Sequence, residues 1–259
     1  FLINIVYKEY MKIKNIILTG SEGLLGKSYR SYAEKRGYNL FCIDKKIIKR
    51  KNYFCCNITD ERQVSKTISS IFKKKNISLL INNAATNPSA DNKLKGFKFS
   101  DYKLENWKKN LEVDLDGSFL VSKHVLKFFE KKNNDKILNI SSIYGLIGAD
   151  QKIYQKKKKK FHGFKPLEYS VAKAGVIGFT KALSSFYQGT NIKINCLVLG
   201  GVESKQGKVF KKKYSEKTIL NRMSELGEYN NYIDFFGSEL NSYTSGSCFV
   251  IDGGATSIL

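Results

Sequence analysis

Short, nearly uninterrupted apolar runs alternate along the chain with longer segments whose apolar residues return every three or four positions. The runs are Ile16–Thr19, Asn39–Asp44, Leu79–Ile81, Ile137–Ile140, Ile192–Leu199 and Cys248–Ile251. A strand apolar at successive positions has both faces covered, as in a parallel sheet with helices on either side. The longer segments supply those helices. Leu24–Lys35 is one, stopped by Gly37, and Asp60–Lys74 is another, with Val64, Ile68, Ile71 and Phe72 on its apolar stripe. Asn106–Lys131 and Glu168–Gln188 read as two more. The alternation predicts an α/β fold, a doubly wound parallel sheet in three α/β/α layers, with all strand C-termini along one ligand-binding edge. Two segments depart from the pattern: Gln151–Lys165, which contains QKKKKKFHGF, and the polar, Lys-rich Gly200–Gly227. Both read as loops or small lids inserted in the domain.

The alternation runs through residues 11–259, which read as a single domain. MKIKNIILTG at Met11 reads as a natural beginning, leaving residues 1–10 as an extension of unknown status. That extension lacks the basic start and long apolar centre of a signal peptide. No apolar run approaches the roughly 18 residues of a membrane span, so no membrane partner is expected.

Charge changes the picture more than composition does. Lys and Arg number 45 against 23 Asp and Glu, a net charge of +22. Only Arg30, Arg36, Arg50, Arg62 and Arg222 are arginines, and nucleic-acid sites favour Arg for its bidentate geometry. The excess therefore reads as a lysine-rich solvated surface, including the run Lys156–Lys160, and no nucleic-acid partner is expected. Phosphorylated or otherwise anionic small substrates suit the charge. The five cysteines form no CxxC, and with His124 and His162 they assemble no metal ligand set by spacing. Cys42, Cys196 and Cys248 lie in apolar runs as free thiols, which points to a reducing, cytoplasmic setting.

Candidate chemistry begins in the turn Gly20-Ser21-Glu22-Gly23-Leu24-Leu25-Gly26, between the first strand and the first helix. Glycine lets the backbone approach a pyrophosphate, and the helix N-terminus adds free N–H groups and partial positive charge. Asp44 ends the second strand, where a carboxylate accepts from the adenosine ribose and repels a 2′-phosphate. With Glu22 it favours NAD over NADP, and Lys45 and Lys46 are the counterweight. Tyr169 and Lys173 stand four apart on a helix, so they share a face, and an ammonium there lowers the phenol toward use as an acid/base. The spacing alone is uninformative, because chance yields about two such pairs in this composition. Three occur: Tyr10/Lys14, Tyr154/Lys158 and Tyr169/Lys173. Context selects the third, which precedes the small residues Ala172, Ala174 and Gly175 and follows Ser141-Ser142 at a strand end.

These segments together resemble a short-chain dehydrogenase/reductase. LTGSEGLLG (18–26), INNAA (81–85), ILNISSIYG (137–145), YSVAKAGVIGFTKAL (169–183), IKINCLVLGGV (192–202) and YTSGSCFVIDGG (243–254) occur in that family's order. The long interval between Ser142 and Tyr169 is similar, more narrowly, to members associated with bacterial flagellin-modification and surface-sugar pathways. The resemblance implies a Rossmann-type domain of about seven strands that assembles with itself as a dimer or tetramer. It implies that Ser142 orients the substrate, Tyr169 is the acid/base, and Lys173 lowers the tyrosine and holds the nicotinamide ribose. It further implies cofactor contacts at Gly20, Ser21, Glu22, Gly23, Leu24 and Leu25, then Asp44, Asn57 and Ile58, then Asn83, Ala84 and Ala85, with Gly200 and Val202 near the carboxamide.

Three positions depart from the family. Asp114 in WKKNLEVDL replaces an active-site Asn whose backbone holds a relay water. Asn57 in CNITD replaces an acid, and Leu199-Gly200 replaces Pro-Gly. The expected activity is NAD(P)-dependent hydride transfer between nicotinamide and a secondary alcohol or carbonyl, on a sugar or sugar derivative. A 3-oxoacyl-type carbonyl reductase and a catalytically silent nucleotide-binding or assembly subunit are the alternatives. Leu115, Phe119 and Val125, with Val176, Phe179 and Leu183, are apolar beyond what one sheet face needs, and are expected at a four-helix self-contact. Trp107 is expected to pack, and His124 to face an interface or solvent.

Overall fold

A computed structural model describes residues 15–88, 99–132, 134–154, 164–239 and 241–258. The extension 1–10 and the lysine run 156–160, with Lys158 of the pair at Tyr154, lie outside the described residues. Seven strands form one parallel sheet: β1 (Asn15–Thr19), β2 (Asn39–Asp44), β3 (Tyr53–Cys55), β4 (Leu79–Asn82), β5 (Lys136–Ser142), β6 (Lys193–Leu199) and β7 (Cys248–Ile251). Their order is β3-β2-β1-β4-β5-β6-β7, all in parallel register. The order reverses direction at β1, so a crevice opens between the C-terminal ends of β1 and β4.

The helices are α1 (Leu24–Lys35), α2 (Glu61–Lys74), α3 (Leu104–Leu111), α4 (Gly117–Phe129), α5 (Leu167–Phe186), α6 (Lys208–Ser215) and α7 (Asn231–Gly237). Successive residues of β1 serve opposite faces, as strand geometry requires. Ile17 packs with Val64, Ile68, Val121 and Phe129 of α2 and α4. Ile16 and Leu18 pack with Tyr29 of α1 and with Ile233 and Phe236 of α7. Local signals match these ends. Asp60, the N-cap of α2, accepts from both Gln63 N at 3.0 Å and Gln63 Nε2 at 2.9 Å. Gly37, at φ +73°, stops α1.

The structure departs from the sequence pattern at five places. β3 has only three residues at the sheet edge, among polar neighbours, so no apolar run announces it. The Asn106–Lys131 helix is interrupted by a π-turn at Glu112–Asp116, where the wider turn breaks the 3.6-residue period. Gly200–Gly227 is not wholly irregular, since it contains α6. Among the surplus apolar residues, Val125 and Val176 are buried in the core, and Phe119 and Phe179 meet edge to face outside it. His124 is also buried, its Nε2 3.1 Å from Glu61 of α2, rather than facing solvent. Among the described residues no helix is long and apolar enough to cross a membrane.

Candidate active site

The strand C-termini and the loops that leave them enclose a cavity of about 1290 Å³. One end begins at the glycine turn. Gly20 has φ +65°, and a Cβ there would stand 2.6 Å from Ala84 Cα, so only glycine lets this turn lie against the loop after β4. Asn83 locks that approach, donating from Nδ2 to Thr19 O at 3.0 Å and Gly20 O at 3.1 Å. Thr19 Oγ1 accepts from Asn83 N and Ala84 N. Helix α1 starts at Gly23 with no side-chain cap and no acidic residue in its first turn. Its first N–H groups therefore face the cavity free for an anion.

Asp44, at the end of β2, is nearly buried. Its carboxylate accepts from Glu22 N at 2.9 Å and Lys46 N at 3.1 Å, which fixes it on the cavity wall with lone pairs to spare. The Glu22 carboxylate is gripped by Arg30 and, at 3.1 Å, by Arg50. The cavity volume, the glycine cradle, the open helix end and the anchored carboxylate fit a dinucleotide.

The other end gathers Ser142, Tyr169 and Lys173. Ser142 ends β5 and accepts from Tyr144 N at 3.3 Å, leaving its own proton free. Tyr169 and Lys173 project from α5 onto the same cavity. Lys173 Nζ donates to Ile140 O at 3.3 Å and lies 3.2 Å from Asp114 Oδ2. Burial disfavours its charge, but Asp114 and then Tyr169 outweigh that, so the ammonium is held above its ordinary value. The π-turn is what aims Asp114 inward, and the residue is almost fully buried. Its Oδ1 accepts from Thr86 N at 2.6 Å and Thr86 Oγ1 at 3.0 Å. Thr86 also bonds Asn110, which donates to Glu168 at 3.1 Å, and Glu168 accepts from Tyr102.

Of the catalytic and cofactor contacts expected from sequence, all but Ser21 and Asp114 line the cavity. Ser21 is buried within the turn, and Asp114 stands behind Lys173. Asn57 lines it beside the turn that its Oδ1 caps at Thr59 N, 3.3 Å. Tyr154 is better placed than its loop suggested. It sits in a 3₁₀ turn, Gln151–Tyr154, lines the cavity, and donates to Tyr144 OH at 3.0 Å. Thr86 and Lys165 also reach the site, and neither carries a sequence signal: one follows INNAA, the other is one lysine among many.

Comparison with known proteins agrees with this geometry. A family model described as enoyl-(acyl carrier protein) reductase matches residues 42–256. The 3-oxoacyl-(acyl-carrier-protein) reductase of Aquifex aeolicus is 29% identical over 245 residues, covering 92% of this chain and 86% of that protein. The post-translational flagellin modification protein A of Campylobacter coli is 27% identical over 267 residues, covering 93% and 97%. A short-chain dehydrogenase of Leptospira borgpetersenii, solved with bound NAD+, superimposes with a TM-score of 0.84 at 27% identity, covering 96% of this chain and 95% of that one. The chain belongs to the short-chain dehydrogenase/reductase family of nicotinamide-dependent oxidoreductases.

Proposed function

We propose that this protein is an NAD-dependent dehydrogenase acting on a secondary alcohol or carbonyl of a sugar or sugar derivative. The observation that carries the reading is the convergence of Ser142, Tyr169 and Lys173 on one end of a cavity whose other end is the glycine turn and Asp44. Nicotinamide, when bound, supplies the hydride acceptor or donor. The chain's own residues handle the proton. The free proton of Ser142 Oγ points the substrate oxygen at Tyr169. In alcohol oxidation the Tyr169 oxygen takes the hydroxyl proton as the C=O bond forms and the hydride leaves carbon; in reduction it returns that proton. Lys173, kept charged by Asp114, stabilises the phenolate. Asp44 supports NAD over NADP by opposing a 2′-phosphate, whereas the charge of Glu22 is taken up by Arg30 and Arg50. The flagellin-modification relative, matched over nearly its whole length, supports the narrower resemblance from which the sugar reading comes.

A second reading, reduction of a 3-oxoacyl group, is favoured by the name of the Aquifex relative. Titration with NAD and NADP, followed by turnover of a panel of sugars, sugar derivatives and a 3-oxoacyl thioester, separates the readings. The dehydrogenase reading expects tighter NAD binding and turnover of a sugar. Faster turnover of the thioester favours the second, and NAD binding with no turnover of any probe leaves a silent nucleotide-binding subunit.

A further inference from the structure

Lys165 precedes α5 and is 6% exposed, an unusual state for a lysine. Its Nζ donates to Asn87 Oδ1 at 2.5 Å and Pro88 O at 3.0 Å, and it sits 3.8 Å from the centroid of the Tyr169 ring. Those partners are all neutral. Among the described residues no carboxylate comes within ion-pair distance of this ammonium, while Lys173 takes Asp114. Burial, then repulsion from Lys173, pushes Lys165 down to about 8, against opposing pulls from Asp114 and Glu168. A buried cation without a counter-ion is costly in the free protein and is relieved by an anion that arrives with a ligand.

The cavity wall shows a related asymmetry. Its two carboxylates, Glu22 and Asp44, lie at the glycine-turn end beside Lys45 and Lys46, whereas the end holding Tyr169 carries Lys165 and Lys173; Lys205 and Lys208 also line the cavity. Among the described residues no Asp or Glu lines that end. The rings of Tyr144, Tyr154 and Phe210 also line the cavity, Tyr144 edge to face with Tyr169. We propose that Lys165 is a substrate-recognition residue that pairs with a carboxylate or phosphate carried on the substrate close to the reacting carbon. The nearness follows from the stacking: the ammonium rests on the ring whose hydroxyl works on the substrate, so an anion held there lies within a few bonds of the oxygen that Tyr169 serves. The proposal rests on the dehydrogenase reading and narrows its substrate class to acidic or phosphorylated compounds. The groups facing Lys165 are Lys173 and Tyr169 of α5, Glu168 at its start, and Asp114 of the π-turn.

The test is equilibrium binding to NAD+-loaded protein, in which ketones form a complex that cannot turn over. The probes are acetoacetate, dihydroxyacetone phosphate and neutral methyl acetoacetate, titrated by calorimetry at pH 8 in two buffers of different ionisation enthalpy. An anionic probe is expected to bind at least tenfold more tightly than the ester, with proton uptake as Lys165 is driven to its charged form. Comparing acetoacetate with dihydroxyacetone phosphate tells carboxylate from phosphate. Lys165→Arg keeps the preference; Lys165→Met, with NAD+ affinity and thermal midpoint checked alongside, loses both preference and proton uptake. Anionic and neutral probes binding alike, or not at all, overturns the proposal, and so does a preference that survives in Lys165→Met. Retained NAD+ binding and turnover of neutral alcohols in that event leave the dehydrogenase reading standing.

Discussion

At the scale of residues, the site turns on one buried charge sequence, Tyr169–Lys173–Asp114. The carboxylate holds Lys173 charged, yet it is also a negative neighbour that opposes the phenolate. Asp114→Asn removes that opposition, and the phenol should ionise more easily. The limb of the pH–rate profile for alcohol oxidation that reports the deprotonated base should therefore move to lower pH. The apparent value belongs to the coupled group rather than to one residue. A limb that stays in place places Asp114 outside the proton-transfer network. At the far end, Asp44→Ala should narrow the preference for NAD over NADP, read by parallel titrations. A wild-type preference for NADP of tenfold, about 1.4 kcal/mol, would instead make Lys45 or Lys46 decisive. Tyr169 was legible in sequence only through its neighbours, because three Tyr-xxx-Lys pairs occur and one alone lies on a small-residue helix after a strand-end serine. Lys165 was not legible. In a chain with 45 Lys and Arg, a single lysine turned inward carries no compositional mark.

At the scale of elements, six of seven strands follow from uniform apolar runs, since burial on both faces leaves that pattern whatever the loops do. β3 escapes because an edge strand of three residues needs no apolar run. The π-turn escapes because its signature is a slip in periodicity, not a residue type, and it is the slip that delivers Asp114 to Lys173. Helix α7 also lacked a clear signal, and polar contacts help to seat it. Asp234 accepts from Tyr32 OH at 2.8 Å and Tyr38 OH at 2.6 Å and pairs with Arg36 at 2.6 Å, tying α7 to α1 and to the turn before β2. Asp234→Ala should lower the free energy of unfolding by about 1–3 kcal/mol, seen as a lower denaturant midpoint at unchanged slope. An unmoved midpoint would mean that the packing of Ile233 and Phe236 alone holds the helix.

At the scale of the whole molecule, the apolar surplus divides once the fold is known. Val125 and Val176 serve the core, but Phe119 remains 47% exposed on α4 and packs on Phe179 of α5, with Phe186 81% exposed at the end of α5. An outward patch on two neighbouring helices suits a symmetric contact with a second copy. Light scattering should find a dimer or tetramer at micromolar concentration, and Phe119→Asp with Phe179→Asp should give monomers that still bind NAD; a wild-type monomer contradicts the contact. The net charge of +22 sits mostly on lysines in solvent, and within the cavity it is concentrated where the substrate is proposed to lie.

In the proposed mechanism Tyr169 exchanges a proton with the substrate while Lys173 and the glycine turn hold the dinucleotide. Its direct measurement is turnover of Tyr169→Phe on a confirmed substrate, with NAD affinity determined on the same preparation. Removing one phenolic oxygen should leave the fold and NAD affinity intact and lower turnover by about 10²–10⁴-fold, the range for a lost general acid/base. Full turnover in Tyr169→Phe, with NAD bound as in the wild type, would contradict the mechanism.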